Sequence, residues 1–122
     1  MSDYLVSKLQ ELPSLIEEKE KELLDLKKSI SGDERSKKFV EIQLRKDINK
    51  EIDVDSGKLR FSNEKSRDDE LFSRMGKDER AISLSDKIED DNYKLELAMI
   101  GYKRLLNEFK AFRSIATIKG GK

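Results

Sequence analysis

The stretch Ser83–Ile118, SLSDKIEDDNYKLELAMIGYKRLLNEFKAFRSIATI, decides how the rest of the chain is read. Alternating steps of four and three from Leu84 give Leu84, Ile88, Asp91, Leu95, Ala98, Tyr102, Leu105, Phe109, Phe112 and Ala116. Eight of these ten are aliphatic or aromatic, Tyr102 is amphipathic, and Asp91 alone is charged. That spacing lays one apolar stripe along a helix roughly 50 Å long at 1.5 Å per residue. No Pro interrupts it, and Gly101 is its weak point, costing about 1 kcal/mol relative to Ala. So long a stripe requires a partner helix of similar length.

The partner lies at the other end of the chain. The same steps pick out Leu5, Leu9, Leu12, Ile16, Lys19, Leu23, Leu26 and Ile30, seven of them aliphatic. This is the pattern of a coiled-coil seam. Pro13 keeps the phase and is expected at the first turn of the main helix, after a short helical turn. Ser31-Gly32-Asp33 is expected to kink or briefly break the helix, which resumes over 34–51; the alternative is one continuous helix, because Val40, Leu44, Ile48 and Ile52 continue the apolar face beyond Gly32. The fold class expected is all-α. Two long helices, 3–30 with 34–51 and 83–118, pack as an antiparallel coiled-coil-like hairpin within one domain. Between them lie a turn or extended loop over 52–61 and a short helix over 63–75 capped by Ser62; 119–122 is a mobile tail. The seam residues are Leu9, Leu12, Ile16, Leu23 and Leu26 facing Leu95, Tyr102, Leu105, Phe109 and Phe112.

Apolar positions also fall outside the stripes. Tyr93, Leu97, Met99, Ile100, Leu106, Ile115 and Ile118 exceed what one helix partner can cover, so a second interface is expected, with a second copy or with another protein. Charged residues make up 43% of the chain and apolar ones 35%, against typical values of about 25% and 45–50%. With so thin a core, either the helices form a slender hairpin or stability comes from association.

The chain contains no Cys and no His. Disulfides, thiol nucleophiles, Cys/His zinc sites and His-based triads are thereby excluded, and a non-enzymatic protein without cofactor or metal is expected. Asp53-Val54-Asp55-Ser56-Gly57 has Gly at the fifth position of a calcium-loop pattern, where an oxygen ligand belongs, and reads as a turn. Asp68-Asp69-Glu70 and Glu89-Asp90-Asp91 read as solvated helix faces. The start of the chain has no basic-then-apolar leader pattern, and no apolar run is long enough to span a bilayer, so a cytoplasmic protein with no membrane partner is expected.

Lys plus Arg and Asp plus Glu are both 26, but the balance is uneven. Residues 62–92 carry 6 basic and 10 acidic groups, whereas 93–122 carry 7 and 2. There Lys103, Arg104, Lys110 and Arg113 are interleaved with Tyr102, Phe109 and Phe112. A cationic strip with aromatic platforms is how single-stranded nucleic acid is held without sequence preference. The competing reading makes the aromatics core knobs and the cations solubilising groups that complement the helix dipole. Arg45, Lys46 and Lys50 form a second basic strip before the loop.

The layout resembles the UvsY-like recombination mediators of tailed bacteriophages. The shared features are an amino-terminal coiled-coil helix, Arg45-Lys46 ahead of a Gly-containing turn, a short helix with Glu64-Lys65-Ser66, and a long final helix ending near Phe112 to Ile118. The resemblance implies a homo-oligomer in a phage-infected or bacterial cell that binds single-stranded DNA and helps to load a recombinase. By position it makes Arg45 and Lys46 the first candidates for phosphate contact. The alternative is a coiled-coil adaptor or inhibitor that binds another protein and no nucleic acid.

Overall fold

In the computed structural model, which describes residues 2–120, the protein is all-α. Helix α1 spans Asp3–Lys50, α2 spans Glu64–Met75 and α3 spans Glu79–Gly120. Two units are distinguished. The first combines residues 1–29 with 91–122, and the second is residues 30–90. In both, α1 and α3 pack antiparallel.

In the first unit, Leu5, Leu12, Ile16, Leu23 and Ala98 are buried, and Leu12 is only 1% exposed. Leu9, Leu26, Leu95, Tyr102, Leu105, Phe109 and Phe112 are half-buried on the same two stripes. The antiparallel order is marked by polar and aromatic pairs. Tyr4 meets Phe112 edge-on with centroids 5.9 Å apart, Lys8 lies 3.9 Å from Glu108, and the Tyr102 hydroxyl donates to Glu20 at 3.1 Å. Asp91, the one charged residue of the α3 stripe, is 7% exposed and accepts from the Ser29 hydroxyl at 3.1 Å. That hydrogen bond offsets the cost of burying its carboxylate.

In the second unit, Ile30, Val40, Ile48, Leu71 and Ala81 are buried. Lys87 donates to Asp33 at 3.2 Å, and Arg80 to Gln43 at 3.1 Å. The loop after α1 is closed by the antiparallel bridge between Ile52 and Leu59. Its turn carries Gly57 at φ 70°, a left-handed conformation suited to Gly. Asp53 accepts from the amides of Asp55 and Ser56, at 2.8 and 3.3 Å, so its carboxylate is occupied as a turn cap.

Five local expectations change. Helix α1 does not break over 31–33. Gly32 costs about 1 kcal/mol in a helix interior, but Ile30, Val40 and Ile48 are buried on either side of it, and Asp33 bridges to Lys87. Nor does Pro13 start the helix. Its missing hydrogen bond costs about 3 kcal/mol, whereas burying a Leu side chain contributes about 1.5–3 kcal/mol, and Leu5 and Leu12 precede it. The cap of α2 is Asn63 rather than Ser62: Asn63 Oδ1 accepts from the Ser66 amide at 2.7 Å, and the Ser66 hydroxyl accepts from the Asn63 amide at 3.4 Å. Finally, α3 begins at Glu79 rather than 83, because Asp78 caps it by accepting from the amides of Arg80 and Ala81 at 2.9 and 3.1 Å. It also continues through Lys119 and Gly120, so that much of the expected tail is helical; 121 and 122 lie outside the described residues.

Candidate nucleic-acid interface

The two basic strips belong to different units and have different electrostatic surroundings. Arg45, Lys46 and Lys50 lie at the end of α1 in the second unit, which carries 14 basic and 16 acidic residues. Arg45 is already paired. Its guanidinium donates to Asp68 at 2.9 Å and lies 3.6 Å from Glu41. These carboxylates, Asp68 foremost, raise its pKa further and so hold it charged. A phosphate there competes with two carboxylates. Lys46 and Lys50 are exposed one turn apart, and Lys50 also complements the carboxy-terminal dipole of α1.

The surrounding acidic residues are engaged as well. Glu51 accepts from Arg60 at 2.7 Å and from Arg74, and Arg74 also donates to Glu70 at 2.8 Å. The hydrogen bond from Arg74, then that from Arg60, holds the Glu51 carboxyl below its usual range. Arg60 and Arg74 also lie over the Phe61 ring, 5.3 and 5.8 Å from its centroid. This cluster ties the loop to α2. Among the described residues, no group of three or more carboxylates is placed to hold a metal ion.

Lys103, Arg104, Lys110 and Arg113 lie on α3 in the first unit, which carries 12 basic and 10 acidic residues. Lys103 and Lys110 are seven residues apart and therefore share a face. Asn107 and Ser114 complete the same face at steps of four, three and four, and all four side chains are exposed. Walking four and three from Lys103 finds Asn107 and Ser114 in the sequence, but the apolar stripe draws the eye first. The result is a line of two ammonium groups with an amide and a hydroxyl between and beside them. Arg113 flanks this line, its guanidinium 5.8 Å from the Phe109 centroid. With Lys110, Ser114, Thr117 and Ile118 it lines a shallow groove. Arg104 is displaced from Lys103 by about 100° around the helix and belongs to another face.

The aromatic platforms are largely committed elsewhere. Phe109 and Phe112 are seam residues, and Tyr102 is half-buried with its hydroxyl on Glu20. The Glu20 carboxylate raises the Tyr102 pKa, so the phenol remains a donor. Tyr93 is exposed, but nearly three turns away from Lys103 and on the Arg104 side. What the α3 face presents is cations and hydrogen-bonding side chains rather than a row of stacking rings.

No helix of the described residues is long and apolar enough to cross a membrane. Compared with protein-family models, curated proteins and solved structures, the chain has no match.

Proposed function

We propose that this protein is a non-enzymatic, homo-oligomeric accessory protein that binds single-stranded DNA through α3, in the manner of a recombination mediator. The observation that carries the reading is the exposed line Lys103–Asn107–Lys110–Ser114 in the more basic unit. Lysines spaced along one helix face contact successive phosphates, while Asn and Ser donate to phosphate oxygens without reading a base. Repetition of the face in an oligomer compensates for the modest charge of one copy. The role in recombination, and a recombinase as partner, rest on the layout shared with the UvsY-like mediators.

The test is fluorescence anisotropy with a labelled single strand of about 30 nucleotides, titrated over a range of salt. Affinity is expected to fall linearly in log–log form. Lys103→Glu with Lys110→Glu should abolish binding at moderate salt, and each single lysine-to-alanine change should lower the salt slope by about one. Arg45→Ala is expected to change binding little, since Asp68 and Glu41 already occupy that guanidinium. Salt-independent binding, or full affinity in the double variant, would overturn the reading.

A second reading is favoured by a separate observation. In the second unit the loop residues Val54 and Leu59, and Phe72 on α2, are exposed, with Val54 96% accessible. Such side chains suit a protein partner, as in a coiled-coil adaptor. Failure to bind oligonucleotide at moderate salt, together with recovery of a protein partner lost on Phe72→Glu, would select it.

A further inference from the structure

Helix α3 carries a second stripe that α1 does not cover. At one end are Tyr93, Leu97 and Ile100; at the other are Ala111, Ile115 and Ile118; Arg104 and Glu108 lie between. The five large apolar side chains are 42–74% exposed. At 100° per residue all eight positions fall within an arc of roughly 80°. This is a continuous strip rather than scattered surface residues.

The strip reads alike from both ends. Turned end over end, Leu97 falls opposite Ile115, Tyr93 opposite Ile118, and Ile100 opposite the small Ala111. Arg104 then meets Glu108, and Glu108 meets Arg104. This is the self-complementarity that a two-fold interface requires, since each copy presents the same patch in reverse. Large side chains oppose a small one at the inner layer, as interdigitation needs. Parallel alignment would instead set Arg104 against Arg104 and Glu108 against Glu108, juxtaposing like charges.

We infer that the strip centred between Arg104 and Glu108 is a docking surface for a second copy of this chain, joined antiparallel about a two-fold axis. Glu108 is free to take part. Its contact with Lys8 is long, at 3.9 Å through one oxygen, and its side chain is 36% exposed. The Lys103–Lys110 line lies outside the strip, so pairing leaves it accessible on both copies. The inference rests on the self-association part of the function proposed above and is independent of DNA binding.

Sedimentation velocity of the full chain at low salt, without DNA, tests it. The wild-type protein should be a dimer or a multiple of one. Leu97→Glu should give a monomer with unchanged helicity by circular dichroism. Arg104→Glu and Glu108→Arg should each weaken association about tenfold, because each places like charges at both symmetry-related contacts. The double charge swap should restore it. That rescue also separates pairing from any loss of the Lys8 contact, which Glu108→Arg and the double variant share. A wild-type monomer, an oligomer indifferent to Leu97→Glu, or a double swap as weak as the single variants would each overturn the inference. A monomer that binds oligonucleotide with the expected salt slope would overturn the docking surface and leave the DNA reading standing. A dimer dissociated by Leu97→Glu that ignores oligonucleotide would do the reverse.

Discussion

In residues 1–29 and 91–122, α1 and α3 meet through Leu5, Leu12, Ile16, Leu23 and Ala98. In residues 30–90 the buried apolar set of Ile30, Val40, Ile48, Leu71 and Ala81 is joined by a network of charge pairs: Arg45 with Asp68, Glu51 with Arg60 and Arg74, and Lys87 with Asp33. The second unit must also hold a loop and a twelve-residue helix, and α2 buries just Leu71 among its own side chains. Guanidinium–carboxylate pairs and caps therefore fix what burial alone leaves loose. The difference teaches which conditions each unit responds to. An aliphatic seam carries no titrating group, whereas exposed ion pairs weaken with added salt and with acid.

Substitutions should separate the two chemistries. The largest expected effect is in the first unit. Leu12→Ala removes a side chain that is 1% exposed and should cost about 3 kcal/mol in urea unfolding followed by circular dichroism. A loss under about 1 kcal/mol would mean that the seam does not carry that unit. In the second unit Asn63→Ala should cost about 1 kcal/mol through loss of the α2 capping box. Hydrogen exchange is expected to rise first in α2.

Gly101→Ala should have the opposite sign. A Cβ built there would lie 3.5 Å from Lys19 Cε and 3.6 Å from Nζ, ordinary contact distances. Removing the glycine's freedom in the unfolded chain should then stabilise the protein by about 0.5–1 kcal/mol. Destabilisation would mean that α1 and α3 approach more closely there than those distances allow.

The smallest effect is acid dependence. Because Glu51 has its pKa lowered when folded, by Arg74 first and Arg60 next, its stabilisation is complete above the ordinary carboxylate value of 4.5 and is lost as pH falls below it. Asp78, lowered by Arg80 and the Ala81 amide, acts in the same direction below 3.8. Glu51→Gln should flatten the acid limb of a stability–pH curve by lowering the neutral plateau toward the acid value. An unchanged acid limb would remove the Glu51 cluster from the account of the second unit.

Periodicity alone determined the architecture. All ten positions of the α3 stripe are buried or half-buried, and so are the eight of the α1 stripe from Leu5 to Ile30. Of the surplus positions, Tyr93, Leu97, Met99, Ile100, Ile115 and Ile118 are exposed, while Leu106 is half-buried. A 3.5-residue repeat is a statement about which side chains share a face, and it needs no knowledge of the partner. Tertiary structure decided where local preference and burial conflict. Pro13 and Gly32 are helix breakers by local chemistry, yet leucine, valine and isoleucine on either side of them are buried, and that gain exceeds the local cost. It also decided which cations are available. Arg45 and Lys103 look equivalent along the chain, but folding brings Asp68 to Arg45 from 23 residues away, while Lys103 keeps an open face shared with Lys110. Charge pairing is set by distance in space, which sequence separation does not encode.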